Sequence, residues 1–278
     1  MLYRLSKLPK YLKAFGIVPG LRLWRQVELR CQANAGLGLR RLDVPGYEAP
    51  IHLRATTADH ATFWQCMVME QYDFFAFPQA QHLMRAYRKM LDEGEKPLVI
   101  DLGGNIGLAT VWLAHKLPEA QFVVVEPDAD NLELLRRNTA HLRSRVRLLH
   151  GGIWHRPAML RIVNPESGSA ALRVEEHPVG EGRGIRAYTV SEACAIAGAS
   201  SPFIVKIDIE GAQAHLFSEN TEWVGGTHLV TLELDDWQFP WGGTSETFFK
   251  TVSRFPFDYL MRDESIFCFR NFGYKSTT

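Results

Sequence analysis

The sequence predicts an α/β protein built on one mostly parallel sheet with helices on both faces. Uninterrupted apolar runs such as PLVID (97–101) and FVVVE (122–126) are typical of strands buried on both faces. Segments with helical periodicity separate these runs, and this alternation indicates parallel strands joined by crossover helices. The last two runs, near 257–261 and 266–270, lie too close together for a helix between them. We therefore expect an antiparallel hairpin at the C-terminal end of the sheet.

Each element of the sheet follows from its apolar pattern. Strands are predicted at 98–102, 121–126, 145–150, 203–208, 228–234, near 257–261 and near 266–270. Helices are predicted at about 106–116, 129–140, 189–197, 211–219 and 244–254. These elements form one domain, residues 96–278.

Residues 1–95 precede this domain as an N-terminal extension and lid. Residues 36–58 alternate apolar and polar side chains around Pro45-Gly46, which indicates a hairpin of short strands. From Asp59 to about Glu93 the apolar spacing becomes helical, with Asp59 as the expected N-cap.

The first part of this extension is strongly basic. Residues 1–30 carry seven lysine and arginine residues and one acid, Glu28. Such a segment can lie on an anionic membrane surface or hold an acidic partner, or it can be a solvated helix. The chain has no run of about 18 apolar residues, so no membrane span is predicted.

The composition excludes some functions. The 31 basic and 31 acidic residues cancel, so no global field attracts nucleic acid and no nucleic-acid partner is expected. The four cysteines have neither CxxC nor CxxH spacing, which favours reduced thiols in a cytoplasmic protein.

The ends of the first two core strands predict a cofactor site. The first strand ends at Asp101 and leads into a turn with Gly103, Asn105 and Gly107, and the second strand ends at Glu126. Glycine lets the backbone approach a ligand closely, and open α/β sheets bind ligands beyond the carboxyl ends of their strands. A carboxylate at Glu126 can accept the hydroxyl hydrogens of a ribose.

Two classes of cofactor fit this plan. A dinucleotide favours the pattern GxGxxG, whereas this turn reads Asp-x-Gly-Gly-Asn-x-Gly. Asp101 would repel a pyrophosphate but complements the cationic sulfonium and ammonium of S-adenosylmethionine. Charge therefore favours S-adenosylmethionine. A nicotinamide-dependent oxidoreductase and a non-catalytic S-adenosylmethionine-binding module are the alternatives.

Three stretches of the chain resemble the FkbM family of S-adenosylmethionine-dependent methyltransferases. They are LRATTADHATFWQCMVMEQYDF (53–74), VIDLGGNIGLATVWLAHKLPEAQFVVVEPDADNLELLRRN (99–138) and VKIDIEGAQAHLF (205–217). Ala58 and Gln213 stand where the family frequently has Ser and Glu. The resemblance covers roughly residues 50–270 and implies a class I methyltransferase sheet. It also implies O-methylation of a hydroxyl on a saccharide, glycolipid or secondary metabolite.

Further cofactor contacts are expected beside the turn. Pro127 follows the second strand, and Gly152 and Ile153 follow the third, where an adenine ring would stack. Tyr72 matches the family's Glu-Tyr element. It can close over the donor's carboxylate or pack within its own helix.

Acids after the fourth and fifth strands are candidates for catalysis. Asp208 and Glu210 lie two residues apart at one strand end, so both can point into the crevice. Asp208 is assigned to the donor side and Glu210 to the acceptor or general base. Glu233 and Asp235 have the same spacing at the next strand end, and with Asp208 they are candidate ligands of Mg²⁺. Each acid can instead cap a helix or orient the donor.

Lys206 and His215 flank this acidic motif. His215 lies one helical turn beyond Gly211 and is a candidate base, or else a surface histidine. Lys206 alternates with Asp208 and can share its side of the strand or form a buried ion pair.

Two loops are candidates for acceptor binding. Trp237, Phe239 and Trp241 follow the fifth strand, where aromatic faces can stack on a sugar ring or pack within the loop. Residues 164–186 are polar and glycine-rich and too long for a simple turn, so Ser167 and Ser169 are candidate ligand contacts.

Overall fold

The computed structural model describes residues 2–29, 38–164, 173–177 and 184–273. Its α-helices are α1 (Leu2–Phe15), α2 (Ile17–Trp24), α3 (Thr57–Phe63), α4 (Ala80–Asp92), α5 (Leu108–Lys116), α6 (Ala129–Asn138), α7 (Val190–Ala197), α8 (Gln213–Leu216), α9 (Trp223–Gly226) and α10 (Glu246–Val252). Its strands are β1 (Arg40–Leu42), β2 (Ile51–Leu53), β3 (Leu98–Leu102), β4 (Gln121–Glu126), β5 (Val146–His150), β6 (Gly152–Ile153), β7 (Ala158–Ile162), β8 (Val174–Glu176), β9 (Ile185–Tyr188), β10 (Ile204–Ile207), β11 (Leu229–Glu233), β12 (Phe257–Arg262) and β13 (Ser265–Arg270).

A seven-stranded sheet forms the centre of the fold. Its strands follow the order β5, β4, β3, β10, β11, β13, β12. The first five are parallel, and β13 runs antiparallel to both of its neighbours. The predicted fold class is therefore confirmed, as a mostly parallel Rossmann-like sheet that ends in an antiparallel hairpin. The strand order reverses between β3 and β10, and such a switch point is where open α/β sheets bind their ligands.

Alternating side chains of the central strands fill two apolar cores. Leu98, Ile100 and Leu102 of β3 pack into the core on one face of the sheet, and Val99 packs into the core on the other. This second core also holds Tyr11 and other side chains of residues 2–95. The N-terminal extension therefore covers the face of the sheet that carries Val99, which we call the extension face.

The extension departs from the prediction at its helices. The predicted hairpin is present, since β1 pairs antiparallel with β2. The N-cap at Asp59 is wrong: α3 begins after Thr56, whose Oγ1 accepts a hydrogen bond from the Asp59 amide at 3.1 Å. The Asp59 carboxylate pairs instead with Arg54, at 2.8 Å. A π-helical turn (Trp64–Val68) and a 3₁₀ turn (Phe74–Ala76) separate α3 from α4.

A second, four-stranded sheet in the order β6, β9, β7, β8 follows the third strand of the main sheet. The prediction of a loop over residues 164–186 is wrong in part, because β8 and the first residues of β9 lie within it. These strands are short, and β8 is mostly exposed, so their sequences lack a continuous apolar run. The candidate contacts Ser167 and Ser169 lie outside the described residues.

The predicted helix over 211–219 is shortened to α8. Glu210 and Gly211 both have positive φ, 46° and 90°, which is incompatible with a helix at these positions. Among the residues that the structure describes, no helix combines the length and apolar character that crossing a bilayer requires.

Replacing Leu23 tests whether the extension belongs to the core. Leu23 is 1% exposed and lies in the same core as Val99, whereas Leu21, on the same helix, is 41% exposed. Leu23→Ala should lower the free energy of unfolding by ~2–5 kcal/mol, because it leaves a buried cavity. Leu21→Ala should change it by less than about 0.5 kcal/mol. Urea unfolding measures both, and equal values would show that the extension does not share the core.

Candidate cofactor and active site

A tight turn joins β3 to α5 at the switch point of the sheet. Gly103, Asn105 and Gly107 all have positive φ, 78°, 47° and 86°. A Cβ atom on Gly103 would lie 1.8 Å from the carbonyl oxygen of Asp208 at the end of the neighbouring strand. Glycine at this position therefore allows both the turn and the close approach of β3 and β10.

The amides of this turn bond within the protein. Gly103 and Gly104 both donate to the carbonyl oxygen of Val125, each at 3.0 Å. The Asn105 amide donates to Oε2 of Glu126 at 2.7 Å. These amides are therefore not directed outward as an anion-binding cradle, which a pyrophosphate would need.

Glu126 is buried at the end of β4 and lines the cleft beside the turn. Its Oε1 accepts hydrogen bonds from the Asp128 amide at 3.0 Å and from Nδ2 of Asn131 at 3.4 Å. The Asn131 side chain in turn accepts from Arg54 at 2.6 Å, so the extension helps to orient Glu126. Burial raises the pKa of Glu126 to about 7.

The cleft has two connected parts. The first, with about 560 Å³ of empty space, contains seven of the predicted cofactor residues. These are Gly103, Asn105, Glu126, Pro127, Gly152, Ile153 and Asp208. The second, with about 710 Å³, shares Gly103, Asn105, Asp208 and Glu210 with the first and adds Tyr72, Lys206 and Glu233. Gly107 lines neither part: it is the N-cap of α5 and lies against Leu135.

Lys206 lies at the base of the second part and is 2% exposed. Its ammonium contacts Oδ1 of Asp101 at 3.0 Å, Oδ2 of Asp208 at 3.5 Å and the carbonyl oxygen of Gly103 at 2.7 Å. Burial alone would lower the pKa of Lys206, but the charges of Asp101 and Asp208 outweigh it and raise the pKa. Of the two interpretations of Lys206, the structure has the buried ion pair.

Asp101 does not reach the cleft, contrary to the prediction that it faces the donor's cation. It is fully buried, and its second oxygen accepts a hydrogen bond from Oγ1 of Thr110 at 2.5 Å. With Lys206 against its first oxygen, its charge is already neutralised inside the sheet. Asp101 therefore contacts the cleft only indirectly, by holding the ammonium of Lys206, which lines it.

Asp208 and Glu233 lie over Lys206 on the extension face. The hydroxyl of Tyr72 donates to Oδ2 of Asp208 at 3.3 Å, and the side-chain amide of Gln71 donates to Oε1 of Glu233. Burial, with repulsion from Asp208, raises the pKa of Glu233 to about 8. The extension thus supplies a donor to each of these two carboxylates.

Glu210 lines both parts of the cleft. Its positive φ turns the backbone away from the strand, and Nε2 of Gln238 donates to its Oε2 at 3.1 Å. Burial raises the pKa of Glu210 to about 7. A carboxylate with this pKa at the cleft is suited to accept a proton near neutral pH.

Each of the three predicted magnesium ligands contacts another group of the protein. Lys206 occupies one side of Asp208, Gln71 contacts Glu233, and Oδ2 of Asp235 accepts the Gly211 amide at 2.6 Å. In the described ranges no group of three or more His, Cys, Asp or Glu side chains is placed to hold a metal ion. The geometry therefore gives no support to Mg²⁺ here.

His215 does not reach the crevice, contrary to its candidate role as a base. It is exposed on α8, and its ring stacks on Trp154 with centroids 4.2 Å apart. The contact with Trp154 shields part of the ring from water, and this partial desolvation lowers the pKa of His215. Gln213, two residues earlier, accepts from the Gly211 amide at 2.8 Å and donates to the Glu233 carbonyl at 3.1 Å. It therefore ties the two acidic strand ends together.

In the aromatic loop after β11, one ring packs against the protein and two are exposed to solvent. Phe239 lies against Gly211 and beneath the guanidinium of Arg173, 5.3 Å from its ring centroid. Trp237 is 73% exposed, and Trp241 is fully exposed. Gln238 of this loop bonds to Glu210, so the loop contacts the cleft, but neither Trp237 nor Trp241 lines either of its two parts.

The residues that α3 and the following turn contribute to the cleft were not predicted from the sequence. They are Ala58, Ala61, Thr62, Gln65 and Cys66. Their spacing of three to four places them on one face of a helix, which is the signal that could have found them. Oγ1 of Thr62 accepts a hydrogen bond from Nδ2 of Asn105 at 3.3 Å, so this face contacts the turn directly.

Solved structures of similar chain arrangement include methyltransferases. A candidate O-methyltransferase from Klebsiella pneumoniae is 17% identical, with a TM-score of 0.40, covering 69% of this chain and 80% of its own. Monomeric WbdD is 13% identical, with a TM-score of 0.42, covering 76% of this chain and 44% of its own. A precorrin-6y C5,15-methyltransferase from Geobacter metallireducens is 9% identical, with a TM-score of 0.36, and the match covers 62% of this chain and 78% of that protein.

These similarities concern the path of the chain alone, and the function proposed below depends on contacts within the cleft. No protein-family model matches the sequence. No curated protein matches it either.

Removing the Lys206 ammonium tests its structural role. Lys206→Met leaves the buried Asp101 carboxylate without its counter-charge, which should lower the free energy of unfolding by ~3–5 kcal/mol. The control Lys89→Met removes an ammonium whose side chain is 75% exposed and should change stability by less than about 0.5 kcal/mol. Urea unfolding compares them. A Lys206→Met protein as stable as the control would contradict the role given to this ion pair.

Proposed function

We propose that this chain is an S-adenosylmethionine-dependent O-methyltransferase that acts on a hydroxyl of a saccharide, glycolipid or secondary metabolite. The observation that carries the proposal is the pairing of Glu126 with the β3–α5 turn. The buried carboxylate of Glu126 lines the cleft, while the backbone amides of the turn donate their hydrogen bonds to Val125 and Glu126 within the protein. The resemblance of residues 53–74, 99–138 and 205–217 to the FkbM family supports the same activity and suggests that family.

The residues of the first part of the cleft fit S-adenosylmethionine. Glu126 would accept hydrogen bonds from the ribose hydroxyls, and Pro127 and Ile153 offer apolar surface to the adenine. Asp208 and Glu210 bring negative charge to the side where the donor is cationic. When bound, S-adenosylmethionine supplies a methyl group on a positively charged sulfur.

A nicotinamide dinucleotide fits less well. Its pyrophosphate would meet a turn whose Gly103, Gly104 and Asn105 amides point to Val125 and Glu126. It would also meet the carboxylates of Asp208 and Glu210, which repel a phosphate. The oxidoreductase alternative is therefore not favoured.

We assign the general base to Glu210. Its carboxylate takes the proton of the acceptor hydroxyl, which makes the oxygen a better nucleophile. Lys206 and Tyr72 hold Asp208 in place beside it, so that the acceptor and donor are oriented by fixed groups.

The two exposed tryptophans support a saccharide or glycolipid acceptor. Trp237 and Trp241 lie in the loop that contacts Glu210 through Gln238. Exposed indole rings in a loop that contacts the cleft offer flat apolar faces on which the C–H faces of a sugar can stack. Packing in the hydrophobic core does not account for these two rings, because both are exposed to solvent.

Substituting Glu126 tests the donor site. Glu126→Ala should weaken binding of S-adenosylhomocysteine by ~1.5–3 kcal/mol for each charge-assisted hydrogen bond lost. Isothermal titration calorimetry measures the dissociation constant. Glu133→Ala is the control, because Glu133 lies on the exposed side of α6, where it pairs with Arg136. Unchanged affinity in Glu126→Ala would show that the pocket is misplaced, and binding of NAD but not S-adenosylhomocysteine would overturn the methyltransferase proposal.

Substituting Glu210 tests the base. The base must be ionised, so with a pKa raised to about 7 the rate of methyl transfer should rise as pH increases through 7 and level off above it. Glu210→Gln should remove this rise and lower kcat by ~10²–10⁴-fold while S-adenosylhomocysteine still binds. Transfer of labelled methyl to a panel of saccharides and glycolipids measures the rate.

Glu222→Gln, an exposed residue remote from the cleft, is the matched control for this experiment. Full activity in Glu210→Gln with an unchanged pH profile would refute its assignment. Binding of S-adenosylhomocysteine with no transfer to any acceptor would favour the non-catalytic module instead.

A further inference from the structure

The outer face of the first two helices exposes apolar side chains. Gly16 ends α1 and turns the chain into α2, where Ile17 is 76% exposed, Val18 68% and Leu21 41%. With Leu29, which is 43% exposed, these three residues form what we call the apolar ridge.

The ridge is held rigidly by the buried side of the same helix. Leu23 and Trp24 of α2 are buried, and Gly20 lies so close to α1 that a Cβ on it would be 2.5 Å from the carbonyl oxygen of Tyr11. Because α2 cannot rotate without losing these contacts, the ridge cannot turn inward. Its exposure is a consequence of how the helix pair packs.

The surface around the ridge is positively charged. Arg22 and Arg25 lie among the residues of the ridge, Lys10 and Lys13 lie on the preceding helix, and all four are exposed. The only acid between residues 2 and 29 is Glu28.

Glu28 is turned away from this surface. It is 5% exposed and bonds to Nζ of Lys7 and to the hydroxyl of Tyr11, both at 3.1 Å. Among residues 2–29, the exposed side chains therefore include cations and apolar groups but no carboxylate. The whole chain has no net charge, so this is a local asymmetry.

We propose that the apolar ridge docks on the surface of an anionic lipid bilayer. The apolar side chains enter the boundary between headgroups and hydrocarbon, while Arg22 and Arg25 contact the anionic headgroups. Lys10 and Lys13 of the preceding helix add to the positive charge that attracts the anionic surface. A second copy of this chain is a poorer occupant, because a two-fold interface would place the same uncompensated cations against each other. The proposal does not depend on methyl transfer.

Vesicle co-sedimentation of the full chain tests this docking. The protein should pellet with vesicles of phosphatidylglycerol and phosphatidylcholine, less so as salt is raised, and should remain in solution with phosphatidylcholine alone. Ile17→Ser with Val18→Ser, and separately Arg22→Glu with Arg25→Glu, should each reduce the partition coefficient by about tenfold or more. Both pairs alter exposed side chains, and the urea midpoint checks that folding is kept.

Met261→Ser is the matched control, because Met261 is 73% exposed on β12, outside the ridge, and its variant should bind as the unaltered protein does. Three results would overturn the proposal. One is equal binding to both kinds of vesicle, and another is full binding by the Ile17→Ser, Val18→Ser protein. The third is a dimer in light scattering that these two substitutions convert to a monomer, since the ridge would then be covered by a second copy.

Discussion

The buried ammonium of Lys206 is the constraint on which the rest of the site depends. It is bound to Asp101 below it, to Asp208 above it and to the Gly103 carbonyl beside it. One side chain therefore joins the ends of β3 and β10, the two strands between which the sheet reverses its order. Burying a charge is costly unless it is paired, and here the pairing partners are the groups that shape the cleft. The acids of the site can lie close together because this cation lies among them.

The period of two along each strand explains why these groups share one face of the sheet. Asp101 lies two residues after Val99, and Glu126 lies two residues after Val124. Asp208 lies two residues after Lys206. Each of these side chains therefore points to the extension face, where Val99 and Val124 pack. The sequence alone predicted the seven strands of the main sheet, their direction and the acids at their ends. It did so because strands buried on both faces are nearly continuous apolar runs. A charged residue inside such a run, as Lys206 is in β10, needs a buried partner of opposite charge.

The sequence could not predict how far an acid lies from the end of its strand, and this position is what distinguishes Asp101 from Glu126. Glu126 is the last residue of β4, whereas Asp101 pairs in register with Val124 and is followed by Leu102 within β3. Both acids are buried, but this difference in depth leaves only Glu126 of the two lining the cleft. The position of His215, the second sheet and the late start of α8 could not be predicted for a related reason. Each depends on tertiary contacts or on backbone angles, such as the positive φ of Glu210, that residue type does not reveal.

The extension is a structural part of the cleft, and its contacts explain why. The ring of Tyr11 on α1 stacks on Phe63 of α3, with centroids 6.4 Å apart, and the neighbouring Thr62 bonds to Asn105 of the β3–α5 turn at 3.3 Å. The same α1 packs on the helix that carries the apolar ridge. A displacement of α1 therefore cannot leave the wall of the cleft unchanged, because Phe63 is fully buried and has no space in which to absorb it. The surface that we propose to meet a membrane and the turn that we propose to meet the cofactor thus belong to one packed unit.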